Sequence, residues 1–353
     1  MDIAKLLSCC LFCAVLAFAQ QPSEEKPFDK LRGFAYNPYG TLGAAPTIAD
    51  ILQKPSDIYG HKFVYVNPAS NSGYSAFDLA GGSALLGYDR SLILGFAKSF
   101  YGLSLSIYPD WICFNNDGHK CTDYYDIGDI GLNFSVPLGS SILYAHAGKT
   151  TASSERTGWL AIYKENNEDS IYFRREHHES IIRARLGITG GNALVWNLGL
   201  SFYYYDVAVS YLLKWYDAKF LFDFGYKILQ SDRVKFIIGL NDELIWQQQL
   251  SYEGPNIDYL YVDIFPNFLG EVVLTKHLLA FVGTRYGINF GMELPNGNRY
   301  SEMAIRNSGS GAYAGLRYER ENWALETRLQ GDVFGEVLDG KNPFISLGAF
   351  IWL

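Results

Sequence analysis

Phe344-Ile345-Ser346-Leu347-Gly348-Ala349-Phe350-Ile351-Trp352-Leu353 ends the chain, and its reading decides the fold. Ile345, Leu347, Ala349, Ile351 and Leu353 fall on one side of a strand. Phe344, Ser346, Gly348, Phe350 and Trp352 fall on the other. Side chains alternate across a strand, so the first set makes one continuous apolar face. A face of that kind running to the last residue has to be covered, whereas the terminus of a soluble domain usually frays into water.

Working back from this stretch, the same alternation recurs. Tyr101, Leu103, Leu105 and Ile107 oppose Gly102, Ser104, Ser106 and Tyr108. Ile130, Leu132, Phe134 and Val136 oppose Gly131, Asn133 and Ser135. Phe220, Phe222, Phe224, Tyr226 and Ile228 oppose Lys219, Asp223, Gly225 and Lys227. One side is greasy; the other is small, polar or charged. Small residues suit the crowded concave inside of a ring, and the greasy side repeatedly ends in Tyr or Trp, as interfacial girdles do. The 26 Tyr, 23 Phe, 7 Trp and 35 Gly against 12 Pro fit the same picture. Past residue 19 no run of about twenty apolar residues occurs, so a spanning helix is excluded. A closed barrel is then the remaining way across a bilayer.

The expected fold is therefore all-β: a closed antiparallel transmembrane barrel of about fourteen strands, with twelve or sixteen as neighbours, since single-chain barrels are even-numbered. Strand segments are predicted at 62–68, 73–80, 91–98, 101–109, 127–137, 140–149, 157–164, 179–189, 193–205, 207–214, 217–229, 232–250, 258–275, 277–294, 309–320, 322–333 and 344–353, some of which merge or lie outside the wall. Short turns fall at Tyr205-Asp206 and Glu319-Arg320-Glu321-Asn322. Longer polar loops fall at 110–126, 164–178, 251–257 and 294–309, on the external side.

The amino-terminal region differs. Residues 1–19 carry Lys5, an apolar run from Leu6 to Phe18 and Ala17-Phe18-Ala19, the form of a removable signal peptide. Lipidation at a cysteine of that run and a buried helix are the competing readings. Residues 20–60 form a periplasmic segment or plug; within it Thr47 to Lys54 opens on a capping box, Thr47 with Asp50, and stops before Pro55. Residues 61–353 form the barrel.

The net charge of −8 argues against nucleic acid, which needs a basic surface. In an exported chain, Cys113 and Cys121 close a small loop by a disulfide; two free thiols are the alternative, and His119 with both cysteines lacks a fourth metal ligand. No metal or cofactor is called for. The candidate lumen-lining charges are Arg183, Arg185, Lys219, Asp223, Lys227, Glu271, Arg285, Arg317, Glu319, Glu326 and Arg328. A tight turn near Arg320-Glu321-Asn322 puts Arg317 opposite Glu326, with Arg328 next to the pair. Such mixed charges either fill the interior as a cross-strand ion-pair ladder or line a conduit for charged solutes.

Catalysis finds little support. Arg174-Arg175-Glu176-His177-His178-Glu179 reads as a solvated external loop, because vicinal histidines on a strand point to opposite faces and chelate poorly. Nothing in the sequence fixes a nucleophile beside His146. There is no Gly-x-Ser-x-Gly, no His-Glu-x-x-His and no phosphate loop.

In this alternation and its terminal strand, the chain resembles a Gram-negative outer-membrane β-barrel protein over its signal peptide and residues 62 to 353. The terminal strand matches the alternation of the usual insertion signal, although Leu353 departs from its aromatic ending and Trp352 is one place out of phase. The resemblance implies an outer-membrane location, with lipid and the barrel-assembly machinery as partners. Val66-Asn67-Pro68-Ala69 after a helical piece is similar to the start of fatty-acid-transporter-like barrels. That likeness implies fourteen strands, an amino-terminal plug, and uptake of a hydrophobic small molecule or scaffolding of a secretion complex.

Two functions follow. One is a non-enzymatic barrel acting as a passive channel or in uptake of small solutes. The other is a membrane-anchored adhesion or scaffold protein working through external loops such as Cys121 to Tyr125 and Asp258 to Tyr261, whose tyrosines stack on sugars or proteins. A soluble exported β-sandwich is the third reading.

Overall fold

The computed structural model describes residues 30–33, 41–68, 72–89, 91–108, 123–164, 167–208, 212–250, 256–294, 310–331 and 344–353. The expected signal peptide, the segment 20–29, and Cys113, Cys121 and His119 lie outside them. A single antiparallel sheet contains β1 (Phe63–Asn67), β2 (Ser72–Leu79), β3 (Gly82–Asp89), β4 (Ser91–Lys98), β5 (Tyr101–Tyr108), β6 (Asp123–Leu138), β7 (Ser141–Lys164), β8 (Asn167–Gly191) and β9 (Leu194–Ala208). It continues with β10 (Leu212–Gln230), β11 (Val234–Leu250), β12 (Ile257–Thr275), β13 (Leu278–Arg285), β14 (Ile288–Leu294), β15 (Gly311–Glu319), β16 (Trp323–Gly331) and β17 (Phe344–Trp352). Apart from β13 and β14, each strand pairs with its sequence neighbours, and β1 pairs with both β2 and β17, so the sheet closes.

The 17 strands fill sixteen positions, because β13 and β14 are two halves of one stave. Both pair with β12, and the ladder breaks at Tyr286-Gly287. The expected count of about fourteen, and the fourteen-strand likeness with it, is corrected to sixteen. The main omission was β3. Its Leu85 faces inward and is buried against the floor while Ala84 and Leu86 face outward, so the strand carries apolar residues on both faces and loses the alternation. The predicted segments 140–149 and 157–164 are one strand, β7, joined through a polar run that nothing requires to be apolar. The expected loop at 164–178 is also strand: β7 and β8 pair down to Lys164 opposite Asn167, and Arg174 to Glu179 belong to that ladder. The expected turn at Tyr205-Asp206 is instead paired, Tyr205 with Trp215 and Asp206 with Lys214. Asp258 to Tyr261, offered both as the start of the strand 258–275 and as an external loop, lies in β12.

The outer face is an apolar belt. Ile345, Leu347, Phe202, Phe220, Phe222, Ile238 and Leu325 are among its exposed side chains. From Leu194 to Tyr204 strand β9 climbs roughly 33 Å at ~3.3 Å per residue; at a tilt of ~40° this is roughly 25 Å of height, the span of a membrane barrel's belt. Tyr204 and Tyr216, with ring centroids 5.0 Å apart, mark its upper edge. Directly above them an ion pair joins Asp206 and Lys214 at 3.2 Å. Chemistry thus changes from apolar to charged where the belt should meet water.

The wall is uneven in height. Strands β2 to β5 have 8 residues each, whereas β7 has 24 and β8 has 25. Short connections such as Gly139-Ser140, Lys276-His277 and Glu321-Asn322 all lie at the end where β1 begins and β17 finishes. Among the described residues no helix is long and apolar enough to cross a membrane.

Candidate functional site: the floor and the polar inner wall

The amino-terminal segment lies across the short-turn end of the barrel. Helix α1 (Ile48–Gln53) begins at Thr47, whose hydroxyl accepts from the Asp50 N–H, while the Asp50 carboxylate accepts from the Thr47 N–H. This capping box satisfies donors that a short helix otherwise leaves orphaned. Pro55 then begins a single 3-10 turn, Pro55–Ile58. Leu31, Ile48, Ile51 and Ile58 are fully buried against inward-facing Tyr65, Tyr74, Leu85 and Phe350. Farther along the floor, Ala45 packs with Ile237, Leu269, Phe281 and Tyr313.

Backbone polar groups of this floor are met by wall side chains. Ser56 N–H donates to Ser135 Oγ at 2.7 Å, and Gly60 N–H to Ser83 Oγ at 2.9 Å. Ser104 Oγ donates to Leu52 O at 3.0 Å. At two places the chain lies so close to the wall that only glycine fits. A Cβ on Gly102 would collide with the Pro55-Ser56 backbone, and one on Gly225 with Leu42 O. The small inward residues of β5 and β10 therefore leave room for a chain crossing the lumen. The serines were legible as a polar face, but nothing local in sequence told which of them touch the floor.

A latch ties the floor to β15 and β16. Arg317 is 1 % exposed and forms ion pairs with Glu326 and, at 2.8 Å, with Glu319. Its Nη1 also donates to Leu31 O at 3.2 Å. Glu326 accepts from the Gly33 N–H at 2.9 Å, and Glu319 pairs with Lys30. Phe350 and Trp352 present ring faces to the guanidinium at 5.4 and 5.9 Å. Arg317 is opposite Glu326 in register, and Arg328 follows two residues on, as the turn at Arg320-Glu321-Asn322 requires.

Above the floor a polar network covers β6 to β10. Arg183 donates to both Asp129 oxygens, at 2.7 and 3.0 Å, to Thr150 Oγ1 at 2.6 Å, and to His146 Nε2 at 3.0 Å. His146 Nε2 is then an acceptor, so its proton is on Nδ1 and points to Asn133 Oδ1 at 2.8 Å. With both ring nitrogens engaged, this histidine is set as a structural neutral imidazole. Arg185 donates to Tyr144 OH at 3.2 Å, which donates to Asn197 Oδ1 at 2.7 Å; Asn197 in turn donates to Asp223 at 2.6 Å.

By alternation every one of the candidate charges is on the inward side of its strand. The structure brings Arg317, Glu319 and Glu326 into one cluster and Arg185 and Asp223 into one chain of hydrogen bonds. Lys219 lies 3.8 Å from Glu243, and Glu271 lies 3.8 Å from Lys235. Arg285 stacks over Phe265 at 3.6 Å. The Lys227 side chain reaches Gly43 of the floor, and Arg328 is buried between Gly315 and Ser346. Asp129, Thr150 and Asn133, which complete the Arg183 cluster, were missed; Asp129 and Asn133 lie on β6, two strands from Arg183, with Thr150 on β7 between, and only the register reveals them. In the floor, burial raises the Asp57 carboxyl to about 6 despite Lys54 nearby, with Asp50 adding to the rise. Among the described residues no group of three or more metal-ligating side chains occurs.

No protein-family model matches the sequence, and no curated protein matches it. Solved structures with some likeness include the ferric citrate transporter FecA in unliganded form, at 11% identity and TM-score 0.40 over 81% of this chain. The chain spans about half of that protein, 48%. OmpT, an outer-membrane protein of Vibrio cholerae, gives 12% identity and TM-score 0.35, over 82% of this chain and 94% of that one. A bacterial polysaccharide outer-membrane secretin gives 10%, TM-score 0.36, 83% and 99%. Scores this low carry no function across. The chain's own geometry, a closed antiparallel wall that is oily outside and polar inside, is the architecture of outer-membrane β-barrel proteins.

Proposed function

We propose that the protein is a non-catalytic outer-membrane barrel of a Gram-negative bacterium, handling small solutes through an interior closed at its periplasmic end by residues 41–60. Short turns mark the periplasmic end of such barrels, and the floor lies there. Residues 1–19 direct export and are then removed. Lipid surrounds the belt, and the barrel-assembly machinery inserts the chain. The carrying observation is the floor itself: it bonds through Ser83, Ser104, Ser135 and Glu326 to staves on opposite sides of the ring. This supports gated uptake or binding over a permanently open channel.

Planar-bilayer conductance tests it. The intact protein should pass little current, and the Gly102→Val variant, which displaces the floor, should pass much more. An intact protein conducting as freely as the variant would end the reading. A second reading, an adhesion or scaffold role, draws on the height of β7 and β8, which extend well past the roughly 9–11 residues that a spanning strand needs.

A further inference from the structure

Aromatic rings line the inner wall well above the floor. Tyr205 of β9 and Trp215 of β10 are cross-strand partners, with ring centroids 4.7 Å apart and planes at 15°. Tyr203 continues the row 6.0 Å from Tyr205, at 19°. On β12, Tyr259 and Tyr261 repeat the arrangement at 6.0 Å and 16°. All five alternate with outward-facing neighbours: Phe202 and Tyr216 are exposed on the belt. Lipid therefore does not account for them. The floor does not either, since its contacts are near the short turns.

Between the two aromatic sets, β11 offers an amide. Gln247 is in register with Asp217 on one side and Tyr259 on the other, and its Nε2 donates to Asp217 Oδ1 at 3.0 Å. One residue row below Tyr261, Asn289 donates to Asp263 at 2.5 Å. Lys219 sits 5.2 Å from the Tyr203 ring centre and is matched by Glu243, while Arg183, in register with Tyr203, is held by Asp129. Both of these cations are paired with carboxylates, which leaves little attraction for an anionic solute. Flat rings offer faces or edges to C–H groups. Amide–carboxylate pairs offer a donor and an acceptor side by side, the spacing that a vicinal diol needs.

We propose that this shelf, from Tyr203 across Gln247 to Tyr259, binds a neutral oligosaccharide along the inner wall. The inference rests on the solute-handling reading above and names its substrate class. Three strand spacings separate β9 from β12, roughly 14 Å, which is room for about three sugar rings. Cross-strand stacking alone would stiffen the wall, but it gives no reason for a second aromatic pair beyond an amide-bearing stave. A cationic solute held over the rings is the rival chemistry.

The full-length protein in detergent is titrated with maltohexaose and cellohexaose, with choline and glucose 6-phosphate in parallel. Calorimetry and the tryptophan fluorescence difference between wild type and Trp215→Phe report binding. At least one hexaose should bind and perturb Trp215. Tyr205→Ala and Tyr259→Ala should each weaken it about three- to tenfold, the range of a lost stacking contact. Tyr216→Ala, on the outer face, should leave it unchanged, and glucose 6-phosphate should not compete. Failure of both hexaoses to bind a barrel that migrates as folded on an unheated gel overturns the proposal, as does choline binding in their place. Conductance separates the two readings: an open, ungated pore that still binds a hexaose removes the floor and keeps the shelf.

Discussion

Replacing Glu326 by alanine should unfasten the floor. Glu326 is 2 % exposed and holds two partners, the Arg317 guanidinium and the Gly33 N–H at 2.9 Å. Breaking a buried ion pair from one side costs about 3–5 kcal/mol, because the remaining charge is stranded. A buried N–H left without an acceptor adds about 1–3 kcal/mol. The two losses share one carboxylate and do not sum, and Glu319 still neutralises Arg317 in part. A net of about 4 kcal/mol remains, roughly a 10³-fold rise in the undocked population at ~1.4 kcal/mol per decade. Amide exchange reads it directly, since Arg32 N–H donates to Pro46 O at 2.8 Å and Ile48 N–H to Arg32 O at 3.0 Å. Both protections should collapse in E326A while the belt strands stay protected and the unheated gel mobility is kept. E326Q, which retains an acceptor for Gly33, should fall between. If exchange at Arg32 and Ile48 stays within threefold of wild type in E326A, the latch does not hold the floor.

Other outcomes follow from the same contacts. Gly225→Val should raise conductance as Gly102→Val does, because its side chain would meet Leu42 O, whereas Gly139→Ala in an exposed turn should not. Asp57, raised from 3.8 to about 6, binds its proton more tightly in the docked floor than in the undocked one. Docking should then weaken as pH rises through that interval, by up to about 3 kcal/mol, and level off above it; Asp57→Asn should flatten the profile of floor-amide exchange against pH. Asp242 alternates onto the oily outer face, in register with Phe222 and Ile264. Asp242→Leu should stabilise the barrel against urea in lipid by about 1–2 kcal/mol, and a destabilised variant would show that the carboxylate has a partner there.

Lipid makes part of this fold readable and not the rest. Where a strand faces the belt, hydrocarbon forces every second side chain to be apolar, so β5, β10 and β17 stand out in the sequence. The inner face obeys no such rule. In β1 to β3 it meets the floor and is apolar too, which concealed β3 and lowered the strand count. Above the belt neither face is constrained, and the polar ladder of β7 and β8 looked like loop. The side on which the candidate charges lie depends only on parity. Their partners depend on register. Arg317 with Glu326 follows from one tight turn, but Arg183 with Asp129 joins β6 to β8 across an intervening strand and has no local signature.

Parity also sets the height of the aromatic shelf. Tyr203 and Tyr205 flank Tyr204 in sequence, and Tyr204 belongs to the outward ring at the upper edge of the belt. The two inward tyrosines therefore stand at that same level, at the mouth of the barrel opposite the floor. A solute entering from the long-strand side meets the rings and amides together with the Arg183 cluster, which is in register with Tyr203, then the Asp223 network, and the latched floor last. Lipid requires only the outer half of this wall. The inward rings at that rim are costly to leave against water, and a ligand that covers them supplies the missing reason for their position.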